Sequence, residues 1–272
     1  MSVYFNDQFV NNEEALLHVS DLSIQRGYAI FDFFRTVNGV PLFMEDHLDR
    51  FYASATAMHL TISKNREEIR NIVQELLQRS SLSEAGIRLM LTGGYSTDSY
   101  HPAASNLLIT CNPVKTATAN DFEKGFSVIT YEHQRQLPHV KSINYLMAVW
   151  LQPLLKEKQA DDMLYYNNES ITEFPRSNVF IVTADNKLVT PAHNILYGIT
   201  RKNIIKLAAD IIPVEERNIL VEELLTASEI FLTATTKKII PVIKINDHPI
   251  GNARPGPVTA KLFERFLELE KV

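Results

Sequence analysis

The sequence has a single cysteine, Cys111, so no intrachain disulfide can form and a reducing, cytoplasmic setting is expected. That thiol lies in the apolar run NLLITC, which suits a buried structural residue better than a nucleophile. Histidine occurs eight times but never as HExxH or with another close ligand spacing, so no metal site is expected. There is no excess of positive charge. A formal charge of -5 removes any general electrostatic reason to bind nucleic acid or an anionic membrane, while leaving room for a local basic pocket that takes a small phosphate. Apolar runs fall far short of a membrane span, and the start MSVYFNDQFVNNEE lacks the basic-then-apolar order of a secretory signal. Repeats and low-complexity tracts are absent as well.

What is present is the material of a globular chain. Its 272 residues suit one large domain or two smaller ones, and 45% hydrophobic with 22% charged residues is ordinary for such a protein. In PLFMEDHLDRFYASATAMHL, residues Leu48, Phe51 and Ala55 recur at helical spacing. NREEIRNIVQELLQR carries a second stripe of Ile69, Ile72, Val73, Leu76 and Leu77. IRLMLTGG and NLLITCNPV read as strands. The polar segment at 114–125 has neither period and reads as a linker between domains at 1–113 and 126–272. Beyond it, FSVITYEH is a strand, and a helix is expected over 143–152. Hairpins are expected to turn at Asn167-Asn168 and Asp185-Asn186. GITRKNIIKLAADII is a helix, EIFLTATTKKIIPVIKIN is strand, turn and strand, and a proline-led helix closes the chain. Strands and helices mixed in two blocks predict an α+β protein of two domains.

The stretch LPHVKSINYLMAVW puts Lys141 in an apolar run. Such a lysine can snorkel to water, or it can be a desolvated amine with a lowered pKa, the form that makes a Schiff base. Gly198-Ile199-Thr200 opens a helix, whose unpaired N–H groups suit phosphate or take an ordinary cap. FLTATTKK sets Thr233, Thr235 and Thr236 at a strand end, where turn chemistry and anion binding explain them equally. Arg50 in DHLDRF and Glu173 in SITEFPRSN each read as a solvated charge or as part of a site. An amine, an anion site and a carboxylate are what a phosphorylated aldehyde cofactor requires.

KSINYL, ITEFPRSNVF, LYGITR, FLTATTKKIIPV and PGPVTAKL, together with DHLDRFYASA, follow the order found in class IV aminotransferases, the fold-type IV pyridoxal 5'-phosphate enzymes, which this chain resembles over residues 20–265. The resemblance implies a small N-terminal α/β domain, a larger barrel-like C-terminal α/β domain and the cofactor between them. It implies a homodimer that shares its active sites through the loop GGYSTDSYHP. By the same resemblance Lys141 forms the internal aldimine and shuttles the substrate proton, and Glu173 faces the pyridine nitrogen. Arg50, Ile199, Thr200, Thr235 and Thr236 hold the phosphate, and Leu196 packs on the ring. One departure is Phe174, where the family has glycine; a bulky ring there could narrow the pocket.

The implied reaction moves an amino group between an amino acid and a 2-oxo acid such as 2-oxoglutarate. Two branches compete for the substrate. The K-S-I-N spacing at 141–144 is similar to the D-amino-acid aminotransferases, but their Arg-x-His carboxylate trap is replaced here by Asp98 and Tyr100. Arg35, Arg88 and Tyr145 resemble the branched-chain enzymes, and Phe31 and Phe33 could wall a side-chain pocket or belong to the core. An atypical carboxylate site of Arg35 and Arg88 is expected, Phe31 and Tyr145 being further substrate contacts. Two alternatives stay open: an aminodeoxychorismate lyase that releases pyruvate, which Phe33 counts against, and a non-catalytic cofactor-binding or regulatory protein.

Overall fold

The computed structural model describes residues 2–271. The chain divides into two compact units, one holding the residues up to Lys115 together with Val140–Asn144, the other holding Thr116–His139 and Tyr145–Lys271. The break falls two residues after the expected boundary at 113. The expected linker 114–125 is not structureless, for Ala119–Lys124 form a helix, and most of the segment belongs to the second unit. Thr118 explains why: its hydroxyl accepts from the Asp121 N–H, an N-cap that a search for apolar periods overlooks.

The first unit contains β1 (Ser2–Phe5), β2 (Gln8–Asn11), α1 (Leu22–Arg26), β3 (Ala29–Val37), β4 (Val40–Pro41), α2 (Met44–Ala57), α3 (Arg66–Ser80), β5 (Ala85–Thr92) and β6 (Leu107–Pro113). Its antiparallel sheet runs β2-β1-β6-β5-β3-β4. Leu48, Phe51 and Ala55 of α2 and Ile69, Ile72, Val73 and Leu76 of α3 are buried against it, as the helical stripes require. Asn65 starts α3 with a capping box, its side chain accepting from the Glu68 N–H at 2.9 Å. Ile30, Asp32 and Phe34 share one face of β3 and are fully buried; Phe31, Phe33 and Arg35 lie on the other face. Cys111 is buried in the same core.

The second unit begins with α4 (Ala119–Lys124) and continues through β7 (Phe126–Glu132), α5 (Leu146–Trp150), α6 (Gln152–Glu157), β8 (Asp162–Asn167), β9 (Ser170–Ile171), β10 (Asn178–Val182) and β11 (Leu188–Thr190). After these come α7 (Ile199–Ala208), β12 (Val214–Glu216), α8 (Glu223–Thr226), β13 (Glu229–Ala234), β14 (Lys238–Ile245), β15 (His248–Pro249) and α9 (Pro257–Leu269). The sheet order is β12-β11-β10-β13-β14-β7-β8-β9, with β15 on β14. Parallel and antiparallel pairs are mixed, and all five residues of β10 are buried, as in a strand covered on both faces.

Two local expectations shift. The helix expected over 143–152 starts later and breaks into α5 and α6 near Leu151, where Pro153 lacks an N–H to continue the ladder. The β8–β9 hairpin turns on Asn168 and Glu169, both at positive φ, one residue beyond the expected step. Among the described residues no helix is long and apolar enough to cross a membrane.

Candidate active site

The sequence-predicted residues fall into two sets, one in each unit. In the first, Lys141 does not stand at a helix start. It lies in an extended segment that pairs with β3, its carbonyl accepting from Phe31 N at 2.9 Å, with Ile143 N donating to Ala29 O at 3.1 Å. The Lys141 N–H also donates to Ser54 Oγ of α2 at 3.3 Å. Two hydrogen bonds of its own backbone and one of Ile143 therefore fix the lysine, and its Nζ sits 4.6 Å from the centre of the Phe31 ring. That is cation–π distance, and the face of a half-buried ring gives an amine less hydration than open water does.

Arg50 is anchored rather than solvated. Its Nε and Nη2 donate to Asp32 Oδ2 and Oδ1 at 2.9 and 2.8 Å, a bidentate pair with the carboxylate fully buried. His47, one turn earlier on α2, has Nδ1 2.7 Å from the same Oδ1. Burial alone would raise the Asp32 carboxyl, but the Arg50 charge and the His47 hydrogen bond overcome it and hold the group well below the usual carboxylate range. Burial pushes His47 the other way, below the ordinary imidazole value; Asp32 partly opposes this, and the Arg50 and Lys141 charges add to it. The result is a buried anion, a neutral imidazole and a guanidinium held in one orientation.

On the opposite face of β3, Arg88 of β5 pairs in register with Phe33 and places its guanidinium carbon 5.3 Å from the centre of the Phe31 ring. Phe31 thus carries Lys141 and Arg88 on one aromatic platform. Arg35, on the same face four residues along, is 3% exposed. Phe33 lies over Gly86, its register neighbour's neighbour, where a Cβ would come within 2.7 Å of the ring, so this position is packed. Asp98, one of the two residues that replace the Arg-x-His trap, is used inside its own loop. It accepts from His101 N, Tyr100 N and Ser96 Oγ, and its Oδ2 meets His101 Nδ1. Those bonds, the His101 backbone N–H first, hold its carboxyl well below the usual range.

In the second unit, Glu173 is 4% exposed and engaged at both oxygens. Arg135 Nε donates to Oε1 at 2.7 Å, and the Leu196 N–H donates to Oε2 at 2.9 Å. Arg135 is itself fixed by donating to the Pro138 carbonyl at 2.6 Å. The Phe174 ring is fully buried in a core with Val128, Leu164, Ile171 and Val179, and its backbone closes a tight turn with Ser177. The departure from glycine thus fills the interior.

Leu196, Gly198, Ile199 and Thr200 form the entrance to α7, which has no side-chain cap. Arg201 anchors this turn from below, donating to Thr190 Oγ1, Pro191 O and Glu216 Oε2. Thr235 and Thr236 occupy the turn between β13 and β14. Tyr145 precedes α5 and is half-buried. Sequence reasoning missed Asp32, His47, Arg135 and Asn178. Asp32 was detectable: an acid at the inward parity of FDFF, with His and Arg three apart on the next helix, signals a buried ion system.

The amino-transferase class IV family profile matches residues 29–245. The chain is 31% identical to a D-alanine aminotransferase of Listeria monocytogenes serotype 4b, over 98% of this chain and 96% of that one. It is also 31% identical to a Methanocaldococcus jannaschii protein that carries a provisional branched-chain-amino-acid aminotransferase name, over 99% and 96%. Its fold is that of the Escherichia coli branched-chain amino acid aminotransferase, at TM-score 0.91 and 24% identity, covering 98% of this chain and 93% of that one. The chain is a member of the class IV aminotransferase family.

Proposed function

We propose that this aminotransferase moves an amino group between an amino acid, a branched-chain L- or a D-amino acid, and a 2-oxo acid such as 2-oxoglutarate, using pyridoxal 5'-phosphate. The observation that carries the reading is Lys141, an amine pinned through its backbone beside Phe31 in a chain of this family. The residues fit the cofactor. Besides the uncapped α7 entrance, the buried hydroxyls of Ser177 and Thr233 have no hydrogen-bond partner among the described residues, as expected of a lining for a polar ligand.

When bound, pyridoxal 5'-phosphate supplies an aldehyde that takes the amino group and a ring that accepts the electron pair left on the substrate. Lys141 would supply the amine that holds the cofactor and would carry the proton of the substrate Cα. Glu173 would face the ring nitrogen and favour its protonated form, and Arg135 fixes that carboxylate in place. Arg50, Ile199, Thr200, Thr235 and Thr236 would hold the phosphate, and Leu196 would pack on the ring. Arg88, Arg35, Phe31 and Tyr145 receive the substrate; Arg88 is exposed at the Phe31 platform and is the stronger carboxylate partner. The working form is a cytoplasmic homodimer whose partner contributes the loop 93–102, with Tyr100 exposed at its tip.

Coupled assays with D-alanine, D-glutamate, L-leucine and L-glutamate, each with a suitable oxo-acid acceptor, test the reading and select the enantiomer. Failure with all four would sink it. Pyruvate release from aminodeoxychorismate without transamination would replace it with a lyase.

A further inference from the structure

Leu196 is held at both of its backbone polar groups by side chains from one short stretch. Its N–H donates to Glu173 Oε2 at 2.9 Å, and its carbonyl accepts from Asn178 Nδ2 at 2.7 Å. Glu173 and Asn178 flank the turn in which Phe174 N donates to Ser177 O at 2.9 Å, so their spacing is set by a closed backbone loop with a fully buried ring beneath it. Asn178 is buried and opens β10, directly opposite Thr233 on β13, a residue 1% exposed whose buried hydroxyl has no partner among the described residues. The other end of the Asn178 amide fills the space beside Gly198: a Cβ at that position would collide with Asn178 Oδ1. One asparagine thus fixes the carbonyl two residues before α7's N-cap and also requires glycine at that cap.

We infer that Asn178 is a positioning residue. It sets the Leu196–Gly198 turn so that the first N–H groups of α7 are aimed at an anion, and it ties that turn to the carboxylate of Glu173. This rests on the pyridoxal 5'-phosphate reading above. The physical reason is rigidity. A backbone anion site works through donors that are already aimed, and a turn with an unbound carbonyl is free to rotate its neighbouring N–H away. The rival role is purely structural, in which Asn178 only satisfies a buried carbonyl.

The two roles separate by titrating the full chain, stripped of cofactor, with pyridoxal 5'-phosphate and with pyridoxal, followed by absorbance. The positioning role predicts that Asn178→Ala weakens pyridoxal 5'-phosphate by about tenfold, the cost of one buried hydrogen bond, and leaves pyridoxal within about twofold. Gly198→Ala also weakens the phosphorylated compound. The pair combined loses less than the product of the single losses, because removing the amide oxygen relieves the collision. Equal losses for both aldehydes, no loss with the phosphorylated one, or strictly multiplicative losses would overturn the inference. Asn178→Ser, too short to reach the Leu196 carbonyl, gives the same selectivity and serves if Asn178→Ala does not melt as a folded protein. A parent chain that binds neither aldehyde defeats the cofactor reading itself, and the role of Asn178 falls with it.

Discussion

The two units fix their candidate residues by different physics. In the first, orientation comes from charge: Asp32, Arg50 and His47 form a buried set whose members fix one another, and Lys141 is added by backbone pairing to β3. In the second, orientation comes from backbone shape: a tight turn, an uncapped helix entrance and a glycine that an asparagine requires, with one ion pair at Glu173. A charge-built site answers to pH and to single-atom changes in its members. A shape-built site answers to side-chain volume and to backbone freedom.

The largest effect expected is at the lysine held beside β3 in the first unit. Lys141→Ala should lower transamination by about 10^3-fold, the range of a lost nucleophile and proton carrier, measured in the coupled assay. Borohydride should no longer attach the cofactor to that variant. Turnover near the parent rate would remove the lysine from the chemistry.

Phe174→Ala probes the shape-built side. A fully buried ring lost from the core costs about 3–5 kcal/mol, read from urea unfolding, and the ranking of amino-acid substrates stays as it was. A variant that unfolds like the parent but accepts bulkier amino acids would put the ring in the pocket instead.

On the charge-built side, Asp32→Asn leaves Arg50 facing a neutral amide in a mostly buried place. The loss is about 3 kcal/mol at neutral pH, since water still reaches part of the guanidinium. Because the folded carboxyl is held below its usual value, the stability it provides is present above pH about 4 and fades as acid is added. The difference between parent and variant should therefore shrink at low pH, and a constant difference would argue against an ionised Asp32.

The smallest effect belongs to His47. Its folded form stays neutral because burial disfavours the charge, whereas the unfolded chain takes up a proton near pH about 6.5. Stability therefore falls as pH drops through that value, and His47→Gln should flatten the slope by up to about one proton, ~1.4 kcal/mol per pH unit. Parallel pH profiles for parent and variant would mean that the imidazole does not change its protonation on unfolding.

The same contrast explains what could be read without the fold. Helical stripes such as Leu48, Phe51 and Ala55 declare themselves by period, and the block order around Lys141, Glu173 and Gly198 points to the family. Charges can be found by parity, as Asp32 could have been, because alternation along a strand says which face it joins. Backbone arrangements are harder. Nothing in EFPRSN says that Phe174 turns inward, nor does GGYSTDSYHP say that Asp98 spends its lone pairs on its own loop. Both depend on turn geometry that sequence spacing does not encode. Residues 114–125 misled for a related reason, since a six-residue helix is too short to display a period.

The return of Val140–Asn144 to the first unit has a practical consequence for anyone dividing this protein. A gene fragment stopping near residue 115 would carry every strand of the first sheet, yet it would leave the edge of β3 at Ala29–Phe31 without its hydrogen-bonding partner and would omit the lysine altogether. Lys141 is thus written into the chain after the body that holds it. Completing the edge of β3 and bringing Lys141 to the Phe31 ring are therefore one event.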